Sequence, residues 1–446
     1  MRTFHVFRAN RRLGTTAVLL TFPERMCRKG ALSCALLTLL FGSLSAQQKD
    51  IIVLKNADVF VGKNVNGEDL REFTGNVHFV QGNVLVWCDR AIQHLARNEV
   101  ELIGRVKVMR DTVTLTAKKG MYYGDSKKAV CEDGVRLETR HVVLLADSGT
   151  YFTEQKKAFF HSHVKVIDST TTIFSDELTY FENERKSIAV HHVVADNSAN
   201  NIRIFGDYLV HFDSTRYSMV TQNPRLMQID TSAKGEIDTL VVKSVVMESY
   251  DDSTQKLIAT DSVAMARGPL SVRCGWARYF TRNDVIELRK QPVVWYEDNQ
   301  TTGDSISLHM AHGKLQFATI RGRSFALSLS DSAYPKRYNQ LVGRKIDMFF
   351  QNDKLQQMTV DQNAISLYFL YDGKSPNGCN RTSGDQITMT FLDGKINEIS
   401  IVKGIEGVYY PENMIATDEG KYNLDGFVLR TDRPTLNYIF PDLKNL

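Results

Sequence analysis

The fold is decided by the stretch Asp147-Ser-Gly-Thr-Tyr-Phe152, which is followed by Lys157 and then by Val164-Lys-Val166. The same order of residue types occurs one period earlier, over 118–137, and one period later, over 176–193. A fixed period of this size is typical of stacked or laddered architectures, in which function usually lies on a long shared surface. The anchor positions recur at intervals of 29 and later of 29 to 41 residues: 89, 118, 147, 176, 207, 243, 275, 304, 344 and 385.

Each period holds two segments with the composition of β-strands. One of them, Ile173–Phe181, alternates at period two, which would place Phe174, Leu178 and Tyr180 on one face. Short charged stretches such as Glu182–Arg185 separate the segments and suit tight turns. Helical periodicity is nearly absent after residue 46.

Proline is absent between Pro23 and Pro224, as expected of an unbroken hydrogen-bonded sheet. Two architectures fit two strands per period: a parallel β-helix, and an antiparallel meander folded across two sheets. The polar turns alternate with strands long enough to bend across two sheets, which favours the meander. We therefore predict an all-β chain, a repetitive antiparallel β-jelly roll built as a V-shaped or folded two-sheet ladder of 29-residue repeats.

The N-terminus has the features of a secretory signal peptide. Three basic residues between positions 25 and 29 precede the apolar run Ala31–Phe41, and cleavage is expected before Gln47. Met26 would begin a signal of more usual length, and the apolar run is too short to span a bilayer comfortably.

Removal of residues 1–46 changes the charge balance. They hold seven of the 55 basic and one of the 51 acidic residues, so the net charge falls from +4 to −2. A chain without a basic excess is not expected to bind nucleic acid. Four cysteines remain, too widely spaced for a CxxC redox or zinc motif, and although secretion permits disulfides we interpret them as small buried residues: Cys88, Cys131, Cys274 and Cys379.

The repeat pattern loosens after residue 330. The spacing grows to about 40 residues, and turn-rich insertions appear at Ser332–Pro335 and Asp372–Gly378. The pattern is lost after Pro411. We predict a signal peptide over 1–46, a repeat array over 47–330, and over 331–446 a looser continuation with longer loops and a C-terminal tail.

These repeats resemble the OstA (organic solvent tolerance) family, which includes LptA, the periplasmic bridge of lipopolysaccharide transport, and the N-terminal periplasmic domain of LptD. The resemblance is carried by the Ala/Ser-Asp…Tyr-Phe strand followed by Lys-Ala and Val-x-Val, with Asp58–Phe60 and Gly75–Phe79 as an opening strand pair. It is clearest over 50–200 and persists less cleanly to about residue 400. This chain is far longer than LptA and looks more like the long OstA-like proteins of the Bacteroidetes type.

The resemblance implies a V-shaped β-jelly roll whose inner face carries the acyl chains of lipopolysaccharide. It also implies terminal strands that pair with other jelly-roll components of the transport machinery, or end to end with a second copy. The expected location is the periplasm, on the pathway of outer-membrane assembly.

A lipid with several acyl chains needs a continuous apolar trough, and burial of apolar surface contributes about 25 cal/mol per Å². The alternative is a closed sandwich in which the same residues form an ordinary core. We predict two groups of lining residues: apolar residues that alternate onto one face of the first strand segment of each period, and a valine from each second segment. They are Trp87, Tyr122, Tyr151, Phe174, Leu178, Tyr180, Phe205, Leu209, Val106, Val135, Val164 and Val193.

The first residues of the mature chain form a flat apolar run without proline. On an exposed sheet edge such a run promotes aggregation unless a partner strand covers it. Strand addition to a neighbouring jelly roll would supply that partner. The simpler interpretation is a first strand paired within the fold. The residues concerned are Ile51, Ile52, Val53 and Leu54.

Histidines offer the best argument for a metal site. His161 and His163 would share one face of a strand, and His191-His192 falls near the same phase one repeat later. No acidic third ligand can be identified, so we interpret them as solvated surface residues. The anchor aspartates are interrupted by lysine or arginine at the same position, so that position does not require a carboxylate.

No nucleophile–base order, glycine-rich phosphate loop or paired-carboxylate motif stands out. We therefore expect no enzyme, no cofactor and no metal. Three hypotheses remain: a lipopolysaccharide-transport component with an open apolar trough, a non-enzymatic periplasmic β-scaffold with a closed core that braces or assembles envelope partners, and a carbohydrate-active enzyme on a β-solenoid. The interrupted aspartate column counts against the third, and only the family resemblance favours the first over the second.

Overall fold

The antiparallel ladder predicted from the repeats is present in the computed structural model, which describes residues 52–231, 235, 237–352, 354–392 and 395–441. Over these residues 28 strands form one antiparallel sheet, so the all-β class and the meander are confirmed. The predicted signal peptide and Ile51 of the expected edge strand lie outside the described residues.

The first half of the ladder begins with two short strands and continues with long strands joined by short turns. They are β1 Val53–Asn56, β2 Val59–Val65, β3 Glu68–Gln81, β4 Val84–His94, β5 Glu99–Arg110, β6 Val113–Tyr123, β7 Lys128–Glu138, β8 Val143–Phe152, β9 Lys157–Ile167, β10 Thr172–Phe181, β11 Lys186–Asn197 and β12 Ile202–Phe212.

The second half begins with shorter strands and ends with longer ones. They are β13 Tyr217–Thr221, β14 Arg225–Thr231, β15 Ile237–Lys243, β16 Val246–Tyr250, β17 Lys256–Arg267, β18 Leu270–Phe280, β19 Val285–Arg289, β20 Val293–Tyr296, β21 Asn299–Thr302, β22 Ser305–Ala311, β23 Lys314–Leu329, β24 Tyr338–Gln351, β25 Lys354–Asp372, β26 Ser375–Leu392, β27 Lys395–Val402 and β28 Glu406–Tyr410.

Each long strand bends once, at a corner in its middle. In β9 the corner is Ser162-His163, where both residues have positive φ (63° and 50°) and together oppose the single residue Asp176 of β10. This extra residue is a β-bulge, which bends a strand. The corners lie side by side along the ladder and divide it into two half-sheets. We call the half with the 82–83 and 111–112 turns the upper half-sheet and the half with the 95–98 and 124–127 turns the lower half-sheet.

The corners explain the period of the sequence. In strands that carry an anchor residue, successive buried positions across the corner are three residues apart, as in Cys88 to Ala91. In the strands between them the spacing is four, as in Phe160 to Val164. Side chains in a strand alternate between two faces, so either the odd-numbered or the even-numbered residues face inward. A spacing of three across the corner exchanges the two sets, and a spacing of four keeps the same set inward.

The aromatic pair of each repeat serves both faces of the lower half-sheet. Tyr122 is buried between the half-sheets, while its neighbour Tyr123 points outward with the ammonium group of Lys128 4.4 Å from its ring centre. Lys157 and Lys186 approach Phe181 in the same way, at 5.3 and 5.4 Å. The lysine that follows each aromatic pair therefore forms a cross-strand cation–π contact.

After β28 the chain returns over the outer face of the upper half-sheet. Residues 411–441, which we call the C-terminal strap, contain the short helices α1 (Glu412–Ile415) and α2 (Leu436–Ile439) and a 3-10 turn at Glu419–Tyr422. Apolar strap residues pack on the sheet in two clusters separate from the main core. The strands beneath are buried on both faces, which explains the continuous apolar run Val293–Tyr296.

Candidate functional site

The inner faces of the two half-sheets pack against each other over the whole ladder. Phe73 of the lower half meets Phe79 of the upper half edge to face, with ring centres 5.6 Å apart. One apolar core runs from Ile52 to Met389. The space between the half-sheets is therefore the candidate site, and in this structure it is closed over most of its length.

One row of inner residues lies next to the turns of the lower half-sheet, where the two half-sheets face each other away from the corners. We call it the mouth row, and its members are paired directly across neighbouring strands. In order along the ladder they are Tyr122, Ala129, Tyr151, Ala158, Tyr180, Ser187, His211, Ser218, Ser249, Leu257, Tyr279, Ile286, Leu308, Ala318, Met348, Met358 and Met389.

The first section of the mouth row alternates tyrosine with alanine, so that large and small side chains fill the space. The Tyr122 hydroxyl donates to Oε1 of Gln81 in the upper half-sheet at 2.6 Å. Burial raises the pKa of Tyr122 to about 12. The Tyr151 hydroxyl donates to Glu182 at 2.9 Å, and burial followed by this carboxylate raises its pKa as well. These tyrosines thus join the half-sheets and the turns while filling the interior.

The middle section is polar, from Ser187 to Ser249. His211 Nε2 lies 3.5 Å from Oδ2 of Asp168, and the Thr170 hydroxyl donates to Asp251 at 3.1 Å, so upper and lower turns are linked here. Burial raises the pKa of Asp168, but bonds from His211 and from two backbone amides outweigh it and hold the pKa below its ordinary value. A cavity of about 60 Å³, with polar and apolar groups in nearly equal measure on its walls, occupies this section. The apolar lining predicted as continuous is therefore interrupted at the mouth.

Nine of the twelve predicted lining residues are buried between the half-sheets. Leu178 and Leu209 are 1% and 0% exposed, so the packed interior leaves them no contact with solvent. Whether they contact lipid stays a prediction. The nine are Tyr122, Tyr151, Leu178, Tyr180, Leu209, Val106, Val135, Val164 and Val193.

The other three predicted lining residues lie on the outer face. Phe174 is 39% exposed beside Lys165, and Trp87 stacks on His78 with ring centres 4.8 Å apart. Phe205 packs edge to face against Phe440 of the C-terminal strap at 5.5 Å. The prediction that Phe174, Leu178 and Tyr180 share one face was wrong, because the corner of β10 reverses the parity between them.

The four cysteines are free and buried, in agreement with the interpretation as small core residues. Burial raises the thiol pKa of three of them to about 12 and that of Cys379 to about 11. Thiols of such high pKa are poor nucleophiles and poor metal ligands at neutral pH.

The histidines lie at corners on the solvent side. His163 and His192 are 87% and 85% exposed at their side chains, and each places Nδ1 near the anchor aspartate of the adjacent strand, 2.6 Å from Asp147 and 2.7 Å from Asp176. His161 and His163 do not share one flat strand face as predicted, because the backbone turns between them at Ser162. Within the described ranges no three His, Cys, Asp or Glu side chains are grouped so as to hold a metal ion.

Both ends of the ladder expose apolar strand edges. Ile52 is buried, and β1 pairs with β3 alone in the part of the chain that the structure describes. The neighbouring β2 is exposed on both faces along its whole length. At the other end β27 and β28 expose Ile399 and Val408. Residues 51–54 were predicted as the exposed edge, whereas β2, which overlaps the predicted opening strand Asp58–Phe60, was not predicted to be an edge.

None of the helices described is long and apolar enough to cross a membrane.

Two family models match the chain. One for OstA-like protein matches residues 49–203, and one for LptA/(LptD N-terminal domain) LPS transport protein matches residues 143–314. Curated proteins give no match. Among solved structures the chain is similar to LptH of Pseudomonas aeruginosa, the LptA-homologous periplasmic component of the conserved lipopolysaccharide transport device, with 17% identity over 32% of this chain and 96% of that one. The TM-score of that likeness, 0.26, is too low to add to the assignment. Residues 49–314, which the two models cover without a gap, place the chain in the OstA/LptA-like family.

Proposed function

We propose that this protein is a periplasmic component of lipopolysaccharide transport that holds acyl chains of the lipid between its two half-sheets. The observation that carries the proposal is the match to an LPS-transport family model over 143–314, where one apolar core continues between the half-sheets behind the polar middle section of the mouth row. The predicted signal peptide supports a periplasmic location. Transport components of this kind perform no chemistry, which agrees with the absence of catalytic motifs in the sequence.

The closed core sets a condition on this function. Acyl chains can enter from the side only if the half-sheets separate at the mouth, since the corners join the half-sheets on the opposite side. The links across the mouth that hold them are few side-chain contacts, such as Tyr122 to Gln81 and Thr170 to Asp251. Each hydrogen bond of this type is worth about 0.5–1.5 kcal/mol, which acyl-chain burial at about 25 cal/mol per Å² could offset.

The exposed terminal strands supply the second part of the proposal. β2 at one end and β27 with β28 at the other could each accept a strand from another jelly-roll component or from a second copy. Pairing of this kind would extend the ladder and bury side chains such as Phe60, which is 58% exposed. Transport along a chain of such proteins would then follow one continuous interior.

Site-specific photocrosslinking in living cells tests the lipid-binding part. The probe replaces in turn Tyr151, Leu178, Leu209 and Leu308, which face inward, and Glu154 in a lower turn as the outward control. We expect a lipopolysaccharide adduct at one or more inward positions and none at Glu154.

The absence of an adduct at every inward position, in protein shown to be folded, would favour the second candidate function. That candidate is a non-enzymatic envelope scaffold, and the observation in its favour is the closed core itself.

A further inference from the structure

The last section of the mouth row encloses a cavity with mainly apolar walls, whereas the first section is filled and the cavity of the middle section has many polar residues in its walls. Between the half-sheets over 294–396 lies an apolar cavity of about 90 Å³. Its walls include Leu308, Met348, Met358 and Met389, and most of it lies beyond residue 314, where the family matches end. Apolar cavities stay dry and take up apolar molecules.

Three methionines form one wall of the cavity. Met348, Met358 and Met389 are direct cross-strand neighbours on β24, β25 and β26. Methionine is unbranched and has three rotatable bonds, so such a wall can change shape around a flexible chain. In the first section the same row holds tyrosine and alanine, which pack without such freedom.

The cavity reaches the surface at the mouth. Met348, Phe350 and Met358 line this part of the cavity and are 7–8% exposed. The ring of Phe350 in the lower half meets that of Tyr296 in the upper half with centres 5.0 Å apart. This ring contact spans the opening, and rotation of either side chain would widen it.

The two rims of this opening have different chemistry. The upper rim carries the carboxylate of Glu297 and amide and hydroxyl groups of Asn299, Asn339 and Tyr368. The lower rim is formed by Leu355 and Ile396. An amphiphile can therefore place its alkyl chain inside and its polar group at the upper rim.

The upper half-sheet is fixed at this point and the lower half is less constrained. Gln340 of β24 is 1% exposed, and its side chain donates to Asn423 Oδ1 at 2.6 Å and accepts from the Leu424 amide at 2.8 Å, so the C-terminal strap holds the upper half. On the lower half Phe349 is 45% exposed on the outer side. Widening of the cavity thus falls to the lower halves of β24–β26.

We infer that this cavity is a binding site for a single unbranched alkyl chain, and that lipid enters the interior of this protein here, in its C-terminal third. A cavity of about 90 Å³ is well below the roughly 300–1,000 Å³ of ordinary ligand pockets, so it admits one chain only as the methionines move aside. The polar section between Ser187 and Ser249 separates it from the filled first section. The inference rests on the proposed function for the identity of the natural amphiphile.

The test uses the purified full-length protein and a hexadecanoic acid that carries a photoreactive diazirine on its chain. Crosslinked peptides are mapped by mass spectrometry. We expect adducts within 294–396 and none within 100–180.

Variants sharpen the result. Ala318→Phe adds a ring between Leu308 and Met348 and should lower labelling at least tenfold, while Ser307→Phe adds the same ring to the outer face of β22 and should leave labelling unchanged. If Ala318→Phe does not fold, the positions of the adducts in the unmodified protein still test whether the alkyl chain binds within 294–396.

Adducts confined to 100–180, or no adduct at any position, would overturn the inference. Labelling with lipopolysaccharide at inward positions outside 294–396 and at none within it would overturn the inference too, while leaving the proposed function intact. Conversely, labelling by the fatty acid within 294–396 together with no lipopolysaccharide adduct anywhere would uphold the site and reject the proposed lipid.

Discussion

Residues with positive φ build the corners of this protein. Only glycine, and to a lesser degree asparagine and aspartate, adopts the left-handed region at low cost. The corners at Gly104 and Gly134 use glycine, but those at Ser162-His163 and His191-His192 do not. The latter two are braced by carboxylates one strand away, since Asp147 and Asp176 each bind the second residue of the pair. The anchor aspartate of the repeat is thus a partner for the neighbouring corner.

The corner ion pairs predict how the two histidines titrate. The hydrogen bonds that His163 and His192 donate to Asp147 and Asp176, followed by the charges of these carboxylates, raise the pKa values of both histidines above 6.5. We expect Asp147→Asn to lower the pKa of His163 and leave that of His192 nearly unchanged, and Asp176→Asn to do the reverse. Each substitution serves as the control for the other, and NMR titration of the imidazole signals measures both.

The sign of the pH effect follows from the raised pKa. The stabilisation from each pair is fully present below the ordinary histidine pKa and is lost as the pH rises through the raised value. Because both side chains are largely exposed, the effect on unfolding is small. A His163 pKa that does not respond to Asp147→Asn would contradict the pairing.

Among the elements, β2 is the best candidate for strand addition. Within the described ranges no strand pairs with its second edge. The Asp58 amide donates to the Gly75 carbonyl at 3.0 Å. Antiparallel alternation then points the amide of Val61, three residues on, away from β3 and toward the open edge.

Val61→Pro should therefore weaken end-to-end association without disturbing the fold. It removes one outward donor worth about 0.5–1.5 kcal/mol, which corresponds to roughly 2- to 10-fold in the dissociation constant. Sedimentation of the purified protein, alone and with a candidate partner, measures the effect. Val61→Ala keeps the donor and is the matched control, and equal association of the two variants would rule out pairing through this edge.

At the scale of the whole molecule, the C-terminal strap ties distant parts of the ladder together. Gln300 donates to the Val428 carbonyl at 2.7 Å and accepts from the Arg430 amide at 2.8 Å, while Phe440 reaches back to Phe205 of β12. The ladder itself continues through residue 330, where β23 pairs with β24. The predicted boundary at that position stays a prediction.

Arg337 is a buried polar attachment of the strap. Its side chain is 3% exposed and contacts Glu412 and Glu419, each at 2.7 Å. Loss of one partner of a buried ion pair costs about 3–5 kcal/mol, and because the two glutamates are partly exposed we expect about 2 kcal/mol for Arg337→Met.

Hydrogen exchange at the Leu424 and Arg430 amides measures the release of the strap, and both should exchange faster in Arg337→Met. Arg323→Met, which removes a 91% exposed arginine paired with Asp304, should change nothing at these amides. Unaltered exchange in Arg337→Met would show that apolar packing alone holds the strap.

The ion pair of Arg337 with Glu412 also makes stability depend on pH. Arg337 lowers the pKa of Glu412, so the stabilisation from this pair is present above pH 4.5 and is lost as the pH falls through the lowered value.

The sequence by itself determined the all-β class, the antiparallel meander and the period, because alternation and turn residues are local signals repeated many times. It also placed Val106, Val135, Val164 and Val193 inside, since they follow corners that preserve parity. Tertiary structure alone decided that Trp87 and Phe174 face outward, where one residue more or less at a corner reverses a whole half-strand. Tertiary structure alone also decided that the C-terminal strap covers the upper half-sheet. It alone decided that, along the mouth row, a filled first section is followed by a polar middle section and then by a section with an apolar cavity. Those features depend on contacts between residues far apart in the chain, which leave no periodic trace in the sequence.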